Sequence, residues 1–251
     1  MSLLEVRGVE VRFGGLKALR GVDLTAEAAT VTGLIGPNGA GKTTLFNVIC
    51  GLLEPHAGTV VLDGTDLSGR AAYRRARLGV ARTFQRLEVF GSLTVRNNVL
   101  VAAEVHRSWS RQRYNASHVA EAILDRVGIS HIADEQVDSL PTGLARLVEL
   151  GRALATQPKV LLLDEPSSGL DEDESADFGR LLLSLASDGL GVLLVEHDIE
   201  LVMSVCETIH VLDFGAMLAV GSPDEIQADE KVRAAYLGIE GDVELTAQAA
   251  G

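Results

Sequence analysis

The sequence predicts an α/β fold whose central sheet presents polar residues where its buried strands end. Residues 160–163 form a continuous apolar run and residues 191–196 repeat its pattern, which is typical of strands covered on both faces. Residues 31–35 form a third apolar run, which leads through a glycine-rich loop into the helix-prone segment 44–50. Because ligands in open parallel sheets bind at the carboxyl ends of the strands, we expect the functional site at that edge.

The composition is that of an ordinary globular protein with an acidic balance. The 251 residues are 47% hydrophobic and 23% charged, and the formal net charge is −13. This charge argues against bulk nucleic acid or an anionic lipid surface as the main partner. Neither a long apolar run nor a basic-then-apolar start is visible, so we expect a cytoplasmic location. Cys50 and Cys206 lie in apolar surroundings and are expected to fill the core.

Periodicity and helix-breaking residues predict the remaining elements. Antiparallel strands are expected at 3–13 and 18–26, and further short strands at 58–64, 78–83, 209–212 and 217–220. Helices are expected at 70–77 on the surface, at 143–157 before Pro158, and at 223–237 at the end of the chain.

Between residues 94 and 138 the pattern is helical only, which predicts a helical insertion. Its clearest helices are expected at 94–104 and 117–127. The stretch 107–114 between them is basic and aromatic, a combination found in nucleic-acid sites. It is short and isolated in an acidic chain, so we interpret it as a loop at a protein interface.

Residues 36–43 have the spacing G-x-x-x-x-G-K-[ST] of a phosphate-binding loop. Glycines let successive backbone N–H groups converge on one anion, and the start of the next helix adds its positive dipole end. Lys42 would reach the β- and γ-phosphates, and Thr43 would offer its hydroxyl to a bridging Mg²⁺. The predicted nucleotide-binding residues in this segment are Gly36, Pro37, Asn38, Gly39, Ala40, Gly41, Lys42, Thr43 and Thr44.

Polar side chains follow three of the predicted strands. Asp164 is expected to hold Mg²⁺, and Glu165 to polarise the water that attacks the γ-phosphate. His197 follows the run at 191–196 and is either structural or in contact with the γ-phosphate. Gln85 is either an ordinary surface amide or a group that reaches the metal or the attacking water.

Two features outside the sheet edge also point to a site. Phe13 ends the first strand beside two glycines, where its ring would either stack on a purine or pack in the core. Residues 167–171 form a turn into the acidic segment 171–177, whose charge suits a helix N-terminus.

Taken together, these motifs resemble, over nearly the whole chain, the ATPase subunit of an ATP-binding cassette (ABC) transporter. The resemblance implies the P-loop NTPase fold of the ABC ATPase type, an α/β fold with a mixed central sheet, an antiparallel β subdomain and a helical subdomain. Within a single ABC ATPase domain over 1–251, residues 1–84 and 159–251 would form the core and β subdomain. Residues 85–158 would form the helical subdomain, including the family's signature segment.

The resemblance also implies roles and partners. It implies adenine stacking by Phe13, metal binding by Thr43, Gln85 and Asp164, and catalysis by Lys42, Gln85, Glu165 as general base and His197 as switch. The loop 168–171, with Asp171, would reach across a head-to-tail dimer that sandwiches two ATP molecules. Closure of the dimer on ATP would drive transmembrane permease subunits, so the chain would lie on the inner face of the cell membrane.

Within the family, three parts of the chain resemble the ATPases of branched-chain amino acid importers. They are 82–85 with 93–95, 196–198 with 201–203, and the ending 235–238. That subgroup combines two different ATPase subunits, two permeases and an external binding protein. For this chain, a dimer of identical subunits remains an alternative.

Other functions remain as alternatives at this point. ATPases for urea or short amides and for lipid export share much of the pattern. A soluble ABC protein acting on ribosomes or DNA would usually carry two cassettes or a long coiled coil, which this acidic chain lacks. A nucleotide kinase would explain the phosphate loop but not Gln85, 168–171 and His197 together.

One segment departs from the family. The signature Leu-Ser-Gly-Gly-Gln is replaced by Leu-Pro-Thr-Gly-Leu at 140–144, so its serine and glutamine are missing. Thr142, Gly143 and Leu144 are the expected contacts to the ATP of the partner subunit, with Thr142 capping the helix that follows. We hypothesise that the site completed by this segment binds ATP but hydrolyses it slowly.

Overall fold

The computed structural model describes residues 2–110 and 113–235, and its larger sheet has six strands in the order β10-β9-β3-β8-β7-β6. These strands are β3 (Val31–Ile35), β6 (Val80–Arg82), β7 (Val160–Asp164), β8 (Gly191–Val195), β9 (Thr208–Asp213) and β10 (Ala216–Gly221). Neighbours from β9 to β6 are parallel, whereas β10 is antiparallel to β9. The sheet is therefore mixed, as expected, and every residue of β3, β7 and β8 is buried.

The smaller sheet is antiparallel and has the order β2-β1-β4-β5. Its strands are β1 (Ser2–Phe13), β2 (Leu16–Glu27), β4 (Ala57–Leu62) and β5 (Thr65–Asp66). Glu5 pairs with Thr25 on one side and with Val61 on the other, so β1 lies in the middle. This arrangement confirms the two antiparallel strands predicted at the start of the chain.

The helices lie on both sides of the larger sheet. They are α1 (Lys42–Cys50), α2 (Ala72–Leu78), α3 (Val95–Trp109), α4 (Ala116–Arg126), α5 (Thr142–Leu154), α6 (Glu172–Ser187), α7 (Ile199–Val205) and α8 (Pro223–Ala228). Two 3₁₀ turns, Ser130–Ile132 and Val137–Ser139, join α4 to α5. Within residues 2–110 and 113–235, no helix combines the length and apolar content that a membrane span requires.

The core is divided by the larger sheet, which explains the continuous apolar runs. Along β8, Leu193 packs with Phe46 of α1 and with the smaller sheet, while its neighbour Leu194 packs with the helices on the opposite face. Leu162 and Leu163 of β7 alternate in the same way. Because successive strand side chains point to opposite faces, a strand buried on both faces needs apolar residues at every position.

The predicted surface helix at 70–77 is α2, but one of its arginines is buried. Arg75 is 3% exposed, and its Nη1 donates to the carbonyl oxygens of Val48 (2.8 Å) and Ile49 (3.0 Å). These carbonyls belong to the last turn of α1, where most helical partners are missing, and the Val48 carbonyl also accepts the backbone N–H of Gly51 at 3.1 Å. Arg75 therefore satisfies the end of the helix that begins at the phosphate loop.

The prediction of one closing helix over 223–237 is wrong. α8 ends at Ala228, and Asp229 has ψ 116°, which is not helical. Its carboxylate accepts hydrogen bonds from the backbone N–H groups of Lys231 (2.7 Å) and Val232 (3.4 Å), where a second helical segment begins. Aspartate interrupts the helix because its side chain competes for backbone N–H groups. Residues 236–237 of the predicted helix lie outside the described residues. So do residues 236–238 of the ending that resembles the ATPases of branched-chain amino acid importers.

The stretch 107–114 is not simply a loop. α3 continues to Trp109, and the Tyr114 hydroxyl donates to the carbonyl of Ala103 at 2.9 Å. The same hydroxyl lies 2.7 Å from Nδ1 of the buried His106. Residues 111–112 lie outside the described part of the chain. Tyr114 therefore folds back onto α3, whose last residue is Trp109.

Both cysteines are free thiols. Burial raises the pKa of Cys50 to about 11 and that of Cys206 to about 12. Both side chains are thus neutral at neutral pH, in keeping with the expected packing role.

Two glycines of the smaller sheet allow a matched test of its packing. Gly58 has φ +90°, and a Cβ there would lie 2.5 Å from the carbonyl oxygen of Gly8 on β1. Gly64 has φ +70° with open space around it. We predict that Gly58→Ala lowers the free energy of unfolding by about 3 kcal/mol and Gly64→Ala by about 1 kcal/mol, measured by urea denaturation. Equal decreases in the free energy of unfolding would show that β1 can shift to accommodate a Cβ at residue 58 without loss of stability.

Candidate active site

The phosphate loop lies against the end of β9. Gly36 has φ +150°, and a Cβ there would fall 1.9 Å from the carbonyl oxygen of Leu212. Gly41 has φ +111° and is the N-cap of α1. Both glycines are thus required by close backbone contacts, and they turn the chain from β3 directly into α1.

Lys42 is the first residue of α1 and is 7% exposed. Its Nζ donates to the carbonyl oxygens of Gly36 (2.6 Å) and Pro37 (3.1 Å). Burial lowers the pKa of Lys42, while the carboxylates of Glu165 and Asp164 oppose that shift. The ammonium group is therefore held over the loop by the loop's own carbonyls, close to two acidic side chains.

A cavity of about 200 Å³ lies in front of this loop. Its wall consists of Asn38, Gly39, Ala40, Gly41, Lys42, Thr43, Thr44, Gln85 and Glu165. Seven residues predicted to bind a nucleotide thus meet two predicted catalytic residues at one cavity. Phe13 is not part of the wall, but it is 52% exposed at the end of β1, so its core alternative is wrong.

Two of the predicted catalytic residues contact a third, Glu165. Gln85 Nε2 donates to Glu165 Oε2 at 3.0 Å, and His197 Nε2 lies 2.8 Å from Glu165 Oε1. Glu165 itself has φ +50°, which is uncommon for a residue other than glycine. Its backbone N–H donates to Val195 O at 2.8 Å, so the strained turn is attached to β8. The carboxylate is consequently held from two sides.

Asp164 is 1% exposed at the end of β7. Its Oδ2 forms an ion pair with Arg82 Nη2 at 2.7 Å, while its buried Oδ1 has no hydrogen-bond partner in the described part of the chain. Sequence reasoning missed Arg82, although an arginine that ends a buried strand could have indicated a buried acidic partner.

The residues present fit a magnesium ion. The unpaired carboxylate oxygen of Asp164, the hydroxyl of Thr43 and the amide of Gln85 offer the hard oxygen donors that Mg²⁺ prefers. In residues 2–110 and 113–235, no cluster of three histidine, cysteine, aspartate or glutamate side chains could hold a metal alone. The donor set therefore suits an ion that completes its coordination with phosphate oxygens and water.

Helix α5 holds the loop that carries Gln85. Arg146 donates to the carbonyl oxygens of Phe84 and Gln85, each at 2.8 Å. Glu149 Oε1 accepts the backbone N–H groups of Phe84 (3.2 Å) and Glu88 (3.3 Å), and burial raises its pKa. Neither residue was predicted, because a charged residue on a largely apolar helix gives no indication of its partner.

Glu196, also missed, connects two predicted segments. Its Oε1 accepts the backbone N–H of Ser167 at 2.7 Å, and its Oε2 accepts that of His197 at 3.1 Å. Burial raises the pKa of Glu196, while these hydrogen bonds oppose the shift. The turn 167–171 then ends at Asp171, which caps α6 in a reciprocal pair of hydrogen bonds with Glu174.

The segment that replaces the family's signature packs on its own chain. A Cβ on Gly143 would lie 2.7 Å from Leu170 Cδ2, and one on Gly169 would lie 3.5 Å from Thr142 Cγ2. The prediction that Thr142 caps α5 is wrong, because Pro141 is the N-cap and Thr142 is already helical. Within one chain, Thr142, Gly143, Leu144 and Asp171 are not part of the wall of the phosphate-loop cavity.

Comparison with known families agrees with this geometry. A family model described as "ABC transporter" matches residues 19–168, more than half of the chain. A second model, described as "Branched-chain amino acid ATP-binding cassette transporter", matches residues 216–242.

Three curated relatives match almost the full length. BraF, a high-affinity branched-chain amino acid transport ATP-binding protein of Pseudomonas aeruginosa, is 39% identical over 94% of this chain and 98% of its own. LivG of Escherichia coli, with the same description, is 38% identical with the same coverage. LptB of Haemophilus influenzae, a lipopolysaccharide export system ATP-binding protein, is 35% identical over 95% of this chain and 98% of its own.

Two solved structures share the fold. A nucleotide-free ATP-binding cassette from an ABC transporter has a TM-score of 0.85 and 30% identity, covering 94% of this chain and 99% of that one. A cassette in its ADP conformation has a TM-score of 0.84 and 30% identity, covering 95% and 99%.

The hydrogen bonds by which Arg146 and Glu149 of α5 hold the Gln85 loop, called the clamp below, can be tested directly. We predict that Arg146→Met speeds hydrogen exchange at the amides of Phe84 and Glu88 and costs about 3 kcal/mol, because Glu149 is left buried without its cation. Hydrogen–deuterium exchange and urea unfolding measure both effects. Arg180→Met, which removes an exposed pair with Asp177, should change stability by less than about 0.5 kcal/mol. Unchanged exchange at 84–88 in Arg146→Met would contradict the clamp.

Proposed function

As a member of the ATP-binding cassette transporter family, this chain is an ATP-hydrolysing transporter subunit, and we propose that its transporter imports branched-chain amino acids. The match of a branched-chain amino acid model at 216–242 carries this assignment. BraF and LivG, which are both described as ATP-binding proteins of such transport systems, support it over nearly the whole chain.

Hydrolysis would proceed at the cavity in front of the phosphate loop. Backbone N–H groups of 38–43 and the ammonium of Lys42 hold the β- and γ-phosphates. Mg²⁺, when bound by Thr43, Asp164 and Gln85, supplies charge neutralisation between these phosphates. Phe13 is exposed where an adenine ring could stack on it.

Glu165 orients the water for in-line attack on the γ-phosphorus, and the bond to the β,γ-bridging oxygen breaks as the new P–O bond forms. The water's proton passes towards Glu165 Oε atoms, and ADP and phosphate are the products. Lys42 and His197 face the negative charge that develops on the transferred group. Because Gln85 and His197 both contact Glu165, the base is held in place by one group from each side.

An apolar groove offers a docking place for a permease. The groove measures about 440 Å³ and is bordered by α2, α3, α5 and the loop after Gln85. Several of its apolar side chains are solvent-exposed, namely Leu52, Phe84, Phe90, Val101 and Val105. A short cytoplasmic segment of the permease would cover them, and the chain would then lie on the inner face of the membrane. The segment 86–95, which we expect to contact the permease, contributes Glu88 and Phe90.

A second ATPase subunit would complete the ATP site. The wall of the cavity in their own chain does not include Thr142, Gly143, Leu144 and Asp171, and we assign these residues to the cavity of the partner in a head-to-tail dimer. The partner is a sister subunit or a second copy of this chain. An external substrate-binding protein would act through the permeases without touching this chain.

Lipopolysaccharide export is the second candidate, because LptB matches at 35% identity. ATPase activity measured with the purified chain, alone and with candidate sister and permease subunits, separates the functions. Activity that requires the complex and rises with a binding protein loaded with leucine, isoleucine or valine supports import. Stimulation by lipopolysaccharide instead would establish export, and robust activity indifferent to membrane partners would favour a soluble ABC protein.

The role of Glu165 as general base predicts a separation of binding from hydrolysis. Glu165→Gln should retain ATP binding and a closed dimer, while hydrolysis falls by about 100-fold or more because the water loses its base. Equilibrium binding and phosphate release measure the two properties. Glu172→Gln, at the exposed start of α6, is the control and should behave like the unaltered chain. A normal hydrolysis rate in Glu165→Gln would refute the assignment.

The altered signature predicts slow hydrolysis at the site that it completes. Replacing Pro141 with Ser and Thr142 with Gly should raise turnover in the assembled complex by at least about tenfold, because a donor to the developing charge is restored. ATP affinity should change little. Turnover is measured by phosphate release under saturating ATP, and no increase would show that the segment does not limit the rate.

A further inference from the structure

Arg82 is the last residue of β6, and each nitrogen of its guanidinium group forms a hydrogen bond. Its side chain is 6% exposed. Nη2 contacts Asp164 Oδ2 at 2.7 Å, Nη1 donates to Asn47 Oδ1 at 2.6 Å, and Nε donates to Thr83 O at 3.2 Å. A buried guanidinium must find acceptors to offset its lost hydration, and the three acceptors together fix the plane of its fork.

Two aromatic rings flank the same group. The guanidinium carbon lies 5.4 Å from the ring centroid of Phe46 and 4.9 Å from that of Phe84. Phe46 belongs to α1, as does Asn47, so the helix that begins at the phosphate loop contributes two of these contacts. Cation–π contacts in a desolvated place resist displacement of the guanidinium. Arg82 is therefore anchored to α1 independently of Asp164.

This anchoring determines how the Asp164 carboxylate is presented. Arg82 engages Oδ2, and Oδ1 is left buried and without a hydrogen bond among the described residues. A carboxylate held through one oxygen cannot rotate freely about its last side-chain bond. A buried polar atom without a partner is uncommon and points to a ligand that the carboxylate receives in its working state.

We propose that Arg82 is a positioning residue that orients the Asp164 carboxylate towards Mg²⁺ of the bound nucleotide. The inference rests on the proposed function, in which Asp164 holds that ion. Arg82 fixes one oxygen of the carboxylate to α1, which leaves the other oxygen free for the metal that Thr43, at the start of the same helix, would also hold. Because outer groups of this kind set metal affinity without touching the metal, Arg82 acts through Asp164.

The test measures how Mg²⁺ tightens the binding of a fluorescent ATP analogue to the purified full chain. The midpoint is the Mg²⁺ concentration that gives half of the full tightening, and Arg82→Met should raise it by about tenfold or more. Binding of the analogue in EDTA should stay within about twofold of the unaltered chain, because Arg82 is not part of the wall of the phosphate-loop cavity. Arg82→Lys, which retains charge but lacks the fork, should give an intermediate midpoint.

Arg75→Met is the matched control, because it removes another buried guanidinium anchored to α1. Arg75 donates to the backbone carbonyls of Val48 and Ile49 rather than to Asp164. It should lower the melting temperature and leave the Mg²⁺ midpoint unchanged. If Arg82→Met lowers the melting temperature but keeps the normal midpoint, Arg82 is merely structural and the inference is overturned.

Asp164→Asn separates failure of the inference from failure of its premise. A shifted midpoint in Asp164→Asn with none in Arg82→Met overturns the positioning role alone. An unshifted midpoint in Asp164→Asn overturns both the metal assignment and the inference. Should Arg82→Met not fold, Arg82→Lys and Asn47→Ala provide the same measurement, and normal midpoints in both would overturn the proposal.

Discussion

The parallel hydrogen bonding of β7 with β8 is the constraint on which the site depends. Asp164 pairs with Val195, so the two strands end at the same level. The next residue, Glu165, donates its backbone N–H to the carbonyl oxygen of Val195. His197 lies two residues beyond the end of β8. A shift of one residue in this register would turn each side chain to the opposite face of the sheet. The ladder thereby decides whether the Glu165 carboxylate and the His197 imidazole can meet at all.

Buried charge then connects this edge to its surroundings. The pairs Arg82–Asp164 and Arg146–Glu149 have side chains that are at most 8% exposed. Such pairs contribute little net stability, because desolvation offsets much of their attraction, but losing one partner is costly. Their effect is to hold a carboxylate and a loop in one arrangement. In this chain the first pair orders the end of β7, and the second orders the loop after β6.

Helix α5 joins three parts of the proposed mechanism. Its first turn packs on Leu170, its middle holds the Gln85 loop, and Arg152 stacks on Phe90 in the apolar groove at 4.6 Å. Arg146 of the same helix contacts the carbonyl oxygen of Gln85, and the segment 142–144 forms the start of that helix. Contacts of one helix thus relate the groove, the cavity and the proposed dimer surface.

The sequence alone determined the buried strands, the phosphate loop and the order of Gln85, Asp164, Glu165 and His197, because these depend on local patterns and short spacings. It could not determine which charges meet. Arg82 and Asp164 are 82 positions apart, and Arg146 and Phe84 are 62 apart. Only packing brings such residues together, and nothing in their own segments records the partner. The break at Asp229 was likewise decided by hydrogen bonds of its carboxylate to nearby backbone N–H groups, which periodicity does not register.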